Sequence, residues 1–128
     1  YGAALLAATG ATITALEESR NLLTIARAAL GHFAPRVSLV EGPLAAGWPA
    51  GAPWHVIMIE GAVEEIPPAI GAQLDREAGR LVTVLAAKTR GQQGVIASPA
   101  GAGLAVQGVF DCATAVLPPL KSAPRFIF

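Results

Sequence analysis

Two spacings of hydrophobic residues alternate along this chain. From Ser19 onward, Leu22, Ile25, Ala26, Ala29 and Leu30 fall on one face of a helix that Gly31 closes. Just before it, residues 11–16 carry the β-branched Thr12, Ile13 and Thr14 and end at Glu17, which predicts a buried strand. Residues 2–9 are rich in Ala and Leu and read as helix, with Gly10 as a natural stop.

The alternation continues. A second strand is expected at residues 37–40, followed by Glu41, Gly42 and a long Pro/Gly/Trp loop over residues 43–53. Residues 56–59 form an unbroken apolar run, the mark of a central parallel strand covered on both faces. Pro67 and Pro68 suit the first turn of a helix carrying Ile70 and Leu74, ended by Gly79 ahead of a strand at 81–87. In the last third the helices stop: residues 95–98 and 104–112 read as strands joined by a hairpin turn over 99–103. The sum is an α/β fold whose sheet is mostly parallel, with an antiparallel strand near the C-terminus. No internal repeat and no composition break marks a boundary, so residues 1–128 are expected to belong to a single domain.

Composition narrows the classes of function. A chain of 128 residues can bury roughly two thirds of its unfolded surface, and 53% hydrophobic against 14% charged residues rules out an unfolded tail. The apolar runs are too short to cross a bilayer, so no membrane role is expected. Nine basic residues balance nine acidic ones without a Lys/Arg cluster, which argues against a nucleic-acid partner. One cysteine, Cys112, and two separated histidines, His32 and His55, supply neither a disulfide nor a metal-ligand set, and a reducing cytoplasm fits best.

Glu17 is the most informative residue. An acid at the end of a strand and the start of a helix is where open α/β folds hold ribose hydroxyls, about 20 residues after a glycine-rich turn. Counting back that far passes Tyr1, so such a turn is expected upstream of the sequence in hand. The competing reading of Glu17 is an acid favoured by the helix dipole.

Several segments, in order and at matching spacing, resemble the protein-L-isoaspartate O-methyltransferase family. They are residues 1–7 (YGAALLA), the stretch 13–30 with Ala15-Leu16-Glu17 and Ala26-Arg27, and Val40-Glu41-Gly42. Residues 47–54 (GWPAGAPW), Glu65-Ile66-Pro67-Pro68-Ala69 and Gly79-Arg80-Leu81-Val82 follow, so that the likeness covers residues 1–98. The tail, 110–128, is similar to that of alphaproteobacterial members.

The resemblance implies a Rossmann-like methyltransferase sheet, incomplete at its N-terminus, and S-adenosylmethionine as cofactor. It implies isoaspartyl residues of damaged proteins as substrate, in a protein-repair reaction. Tyr1 would follow the glycine loop, and Glu17 would bind the ribose. Gly42, Pro43 and Leu44 would line the adenine. Position 43 departs from the pattern, because the family usually has an Asp there to receive the adenine amino group, and a proline side chain accepts no hydrogen bond. Residues 60–64 (EGAVE) likewise replace a small, neutral stretch ending in Pro. The substrate-side hydroxyl residue of the family lies before its glycine loop, so no catalytic residue is assigned to this chain, and residues 1–128 alone are expected to be inactive.

Other features read most simply as structure. Gly101-Ala102-Gly103 reads as the hairpin turn, the acids Glu60, Glu64 and Glu65 as a solvated strand-end loop, and Cys112 as a buried thiol. Trp48 and Trp54 suit either a ligand ring or a loop anchor. Two functions stay open: a carboxyl methyltransferase, and a degenerate relative with a binding or structural role, motivated by Pro43 and residues 60–64. A nicotinamide dehydrogenase would also place an acid at Glu17, but the antiparallel strand and the Trp-Pro loop disfavour it. If the first strand of the sheet is supplied from upstream, its neighbours expose unpaired edges that invite self-association.

Overall fold

The computed structural model describes residues 1–33, 35–87 and 91–120; the sequence likeness in the tail falls in part on 121–128, outside the described residues. Contacts divide the chain into two compact units, Tyr1–Gly47 and Trp48–Phe128.

The first unit is built from α1 (Gly2–Ala8), β1 (Ile13–Glu17), α2 (Arg20–Ala29) and β2 (Val37–Glu41). β1 and β2 are parallel and pair from Ile13↔Val37 to Glu17↔Glu41. Parallel neighbours need a crossover, and α2 supplies it. Ser19 caps α2 by accepting from the Leu22 N–H at 3.5 Å. Ala7, Leu30 and Val37 form the buried centre, against which Ile13, Ala15, Ala26 and Leu39 pack.

The buried stripe of α2 differs from the expected one. Leu23 is fully buried, whereas Leu22 and Ile25 stand 52% and 64% exposed. A helix lying on only two strands buries a narrow stripe, and here Leu23, Ala26 and Leu30 fill it.

The second unit contains β3 (Val56–Val63), the single-turn helix α3 (Pro68–Gly71), β4 (Arg80–Ala87), β5 (Gly91–Ala100) and β6 (Gly103–Asp111). The sheet order is β3-β4-β5-β6, with β3 and β4 parallel and β5 antiparallel to both its neighbours. One reversed strand in an otherwise parallel set agrees with the expectation. β5 runs longer than foreseen and β6 starts one residue earlier, so the turn shrinks to Gly101 and Ala102, with Gly101 at φ 56°. Ile70, Leu74, Leu81 and Ala97 make the core, joined by Ile57, Ile59, Ile66 and Leu104.

Two expectations fail in this unit. Among the described residues β3 has a strand partner along one side and is covered on one face: Ile57 and Ile59 join the core, while Val56 and Met58 are 61% and 48% exposed. An unbroken apolar run cannot distinguish these cases, since side chains alternate between faces whatever covers them.

The helix from Pro68 ends at Gly71 and does not continue to Gly79. Its continuation is blocked because residues 73–75 pair instead with Trp54: the Trp54 N–H donates to Gln73 O and the Asp75 N–H to Trp54 O, each at 2.8 Å. Asp75 then accepts from the N–H groups of Glu77 and Ala78 at 3.1 and 2.8 Å, closing a local turn where the expected helix would have run on. Those bonds, with a smaller contribution from His55, hold the Asp75 carboxyl below its ordinary value against the opposing pull of desolvation.

β3 is also longer than expected. It passes a register shift between Met58 and Ala62 and continues to Val63. Gly61 lies in that irregular stretch, where a Cβ would come within 2.6 Å of the Leu117 side chain. Leu117 is held there by its N–H, which donates to Ala62 O at 2.9 Å.

Candidate functional site

The register of β1 with β2 brings Glu17 and Glu41 to one level, at the carboxyl ends of two parallel strands. Ligands of open parallel sheets bind at that end, because helix starts and loops converge there. Glu17 is half-buried. Its carbonyl accepts from the Gly42 N–H at 3.2 Å, and its Oε1 accepts from the Ser19 N–H at 2.8 Å. The second carboxylate oxygen has no partner among the described residues and can accept from a hydroxyl group.

Two further contacts tie the β1–α2 turn to the end of β2 and the loop after it. Arg20 Nε donates to Glu41 Oε1 at 2.8 Å, a solvent-exposed ion pair that raises the already high Arg20 pKa. Glu18 Oε2 accepts from the Leu44 N–H at 3.1 Å. Past Pro43 the chain makes a 3₁₀ turn over Leu44–Ala46 that ends at Gly47, φ 65°. Gly42 and Leu44 are half-buried there, and Pro43 is exposed.

Of the expected contacts, the structure therefore brings Glu17, Gly42, Pro43 and Leu44 to one end of the first unit. Tyr1 stands apart from their hydrogen bonds: it is 94% exposed before α1, and its carbonyl accepts from the Leu5 N–H at 3.1 Å. Glu18, Arg20 and Glu41 were not singled out as site residues. The only signal for Glu18 was its place beside Glu17, since Leu44 lies 26 residues away in sequence.

A half-buried carboxylate with an unused oxygen, beside a backbone that turns at Gly42, suits the paired hydroxyls of a ribose. The residues therefore fit the sugar of S-adenosylmethionine at Glu17, whereas the side chain at position 43 provides no acceptor for its base. The acids gathered at this strand end suit hydroxyl and amino donors and disfavour an anion such as a phosphate.

The remaining chemical features lie in the second unit. Trp54 Nε1 donates to Trp48 O at 3.2 Å, the Trp48 N–H donates to Gln73 Oε1 at 2.9 Å, and the Trp54 ring packs on Gly51. These contacts make the tryptophans loop anchors. Cys112 is half-buried rather than fully buried, and its N–H donates to Gln92 O. Glu60 and Glu65 are exposed, and among the described residues no three His, Cys, Asp or Glu side chains converge to hold a metal ion. No helix among the described residues is long and apolar enough to cross a membrane.

Comparison with known proteins gives a consistent result. The sequence profile of the family described as protein-L-isoaspartate(D-aspartate) O-methyltransferase matches residues 1–106. A protein-L-isoaspartate O-methyltransferase of Methylorubrum populi is 42% identical over 82 residues, covering 64% of this chain and 38% of the relative. Protein-L-isoaspartate O-methyltransferase 1 of an Anaeromyxobacter species is 37% identical over 106 residues, covering 74% of this chain and 50% of the relative. The chain thus spans half or less of the length of these relatives. A solved protein-L-isoaspartate O-methyltransferase superposes with a TM-score of 0.75 at 22% identity, over 86% of this chain and 35% of that one, which shows the methyltransferase fold.

Proposed function

The chain belongs to the protein-L-isoaspartate(D-aspartate) O-methyltransferase family, and from that premise we propose that it works in an S-adenosylmethionine-dependent carboxyl methyltransferase acting on isoaspartyl residues of damaged proteins. The observation that carries this reading is the half-buried Glu17 carboxylate at the carboxyl end of β1, held by the Ser19 N–H, in a residue whose carbonyl accepts from the Gly42 N–H. Bound S-adenosylmethionine supplies a methyl group activated by its sulfonium.

The residues of this chain bind and orient. Glu17 accepts from the ribose hydroxyls, and the Ser19 N–H keeps that carboxylate turned toward the start of α2. Pro43 and Leu44 bound the base with apolar surface. A substrate carboxylate is already a nucleophile, so positioning supplies most of the acceleration and no acid or base from residues 1–128 is required. On this reading the glycine turn for the methionine moiety and the substrate-side hydroxyl residue lie outside residues 1–128. The balanced charge and single cysteine suit a cytoplasmic enzyme with protein substrates and no nucleic-acid partner.

A second reading, a methyltransferase fold kept for binding or structure without activity, is favoured by Pro43 and by Glu60 and Glu64 where the family has small neutral residues. Calorimetry of the full-length protein with S-adenosylmethionine, and methylation of an isoaspartyl peptide, separate the two. Binding and turnover that Glu17→Ala removes are expected; absence of cofactor binding sinks the enzyme reading.

The open strand edges bear on assembly. Among the described residues β1 pairs only with β2, and β3 has β4 on one side with a single bridge at Ala62↔Val116 besides. These edges are where a further strand or a second copy would pair. Sedimentation of residues 1–128 against the full-length protein tests this, with self-association expected of the former.

A further inference from the structure

Strand β6 forms a free edge of the second unit's sheet: among the described residues it pairs with β5 alone. Native proteins guard such an edge with charged side chains, Pro, a bulge or a very short strand. β6 lacks these over most of its length. It runs nine residues, Gly103–Asp111, all exposed except the half-buried Leu104, and Asp111 at its end is its only charge. Its one irregularity, the register shift opposite Gly94 and Val95, lies beyond Gly108 and leaves residues 103–108 regular.

The turn fixes which backbone groups of β6 are open. In a two-residue hairpin the flanking pair exchanges both of its backbone bonds, and bonding then alternates along the strand. Ala100 and Gly103 are that pair, so Gly103, Ala105 and Gln107 bond to β5 while Leu104, Val106 and Gly108 turn their N–H and C=O groups outward. Pro99, which has no N–H to give, stands opposite Leu104, as this alternation allows.

We propose that this edge pairs with the same edge of a second copy of the protein, antiparallel about a two-fold axis at Val106, joining the two four-stranded sheets into one. Charge complementarity selects a second copy as the occupant. With Val106 opposite its own counterpart, Leu104 pairs with Gly108 of the second copy, and Gly101 comes level with Asp111 of the second copy. Arg76 is exposed, and its Nη2 donates to Gly101 O at 3.2 Å, so a guanidinium stands at that point of the turn. The Asp111 carboxylate is exposed, and its Oδ1 accepts from Gln93 Nε2 at 2.9 Å. Each copy thus sets the cation at its turn beside the anion at the other's strand end, twice by symmetry. At the axis the two Val106 side chains, each 48% exposed, meet as an apolar cross-strand pair. The pairing uses an edge other than those of β1 and β3 and does not depend on the cofactor reading.

The test is sedimentation of the full-length protein across the micromolar range, where a monomer–dimer equilibrium is expected. Val106→Lys sets two like charges opposite each other at the axis and should weaken the dimer by about tenfold or more. Its circular dichroism should stay that of the unaltered protein, because the side chain stands at an open edge. Arg76→Glu and Asp111→Arg each turn two attractions into repulsions and should weaken the dimer by about threefold or more. The double variant, with the charges exchanged, should regain what either change loses. A full-length protein that stays monomeric throughout this range overturns the proposal. A dimer that Val106→Lys leaves unmoved overturns the assignment to β6 and points to the edges of β1 or β3. A double variant no tighter than either single one overturns the two-fold register, and the proposal with it.

Discussion

The two units of this chain use their polar side chains differently. In Trp48–Phe128 polar groups are buried and serve the fold: Gln73 and Thr83 lie in the interior. Gln73 bonds the Trp48 N–H and the Ala69 carbonyl, and the Thr83 hydroxyl donates to Gly61 O at 3.2 Å. In Tyr1–Gly47 the carboxylates of Glu17, Glu18 and Glu41 collect at one strand end, at the surface or half-buried. A buried polar group is held in place by the desolvation penalty of losing its partner, so it is committed to structure. A carboxylate with one oxygen still open to solvent is not, and on the reading proposed above it is Glu17, in the first unit, that uses this freedom to hold a ligand.

Substitutions can break this contrast. The largest effect on stability is expected at Leu81, fully buried in the second unit: Leu81→Ala should cost about 2–5 kcal/mol in chemical denaturation, through lost transfer energy and the cavity left behind. Glu17→Ala should do the opposite, leaving the denaturation midpoint nearly unchanged while weakening S-adenosylmethionine binding by about ten- to a hundredfold, as for a lost charge-assisted bond. If Glu17→Ala unfolds the protein, the contrast between the units fails.

Gln73→Ala sharpens the comparison from the other side. It strands the Trp48 N–H and should destabilise by about 1–3 kcal/mol without a selective effect on cofactor affinity. The smallest effect concerns acid. The Asp75 carboxyl is held below its ordinary value by two N–H bonds, so the stability it contributes is present above the unfolded-state value near 3.8 and is lost as pH falls through the lower folded-state value. Urea midpoints of Asp75→Asn should accordingly fall less steeply below about pH 4 than those of the unaltered protein.

Much of the fold was legible because its periods are local. Strand β1, its acid and the helix that follows are set by neighbours within a few residues and stand where the pattern put them, although β1 is half-buried rather than buried. The hairpin of β5 and β6 followed from Gly101 and Gly103 between two strand-like runs. What misled was always a question of what lies opposite. Leu22 and Ile25 share a helical face with Ala26, but only tertiary packing chose Leu23 as the buried residue. The turn after α3 is helical by composition and was taken out of the helix by its pairing with Trp54, some twenty positions earlier.

The candidate site divides the same way. Glu17 carried its meaning in the sequence, because an acid between a strand and a helix is a local pattern with a known use. Glu18 carried none, because its partner Leu44 lies on the next strand's loop and no spacing announces it. The sequence by itself determined the alternation of strand and helix, the family likeness and the acid at the end of β1, since each depends on short-range periodicity or on residue identity. Only the tertiary structure decided which helical stripe is buried, where α3 stops, that β3 lies at the edge of its sheet among the described residues and that a second carboxylate reaches the loop after β2. Those depend on which surfaces and backbone groups meet across long separations in the chain.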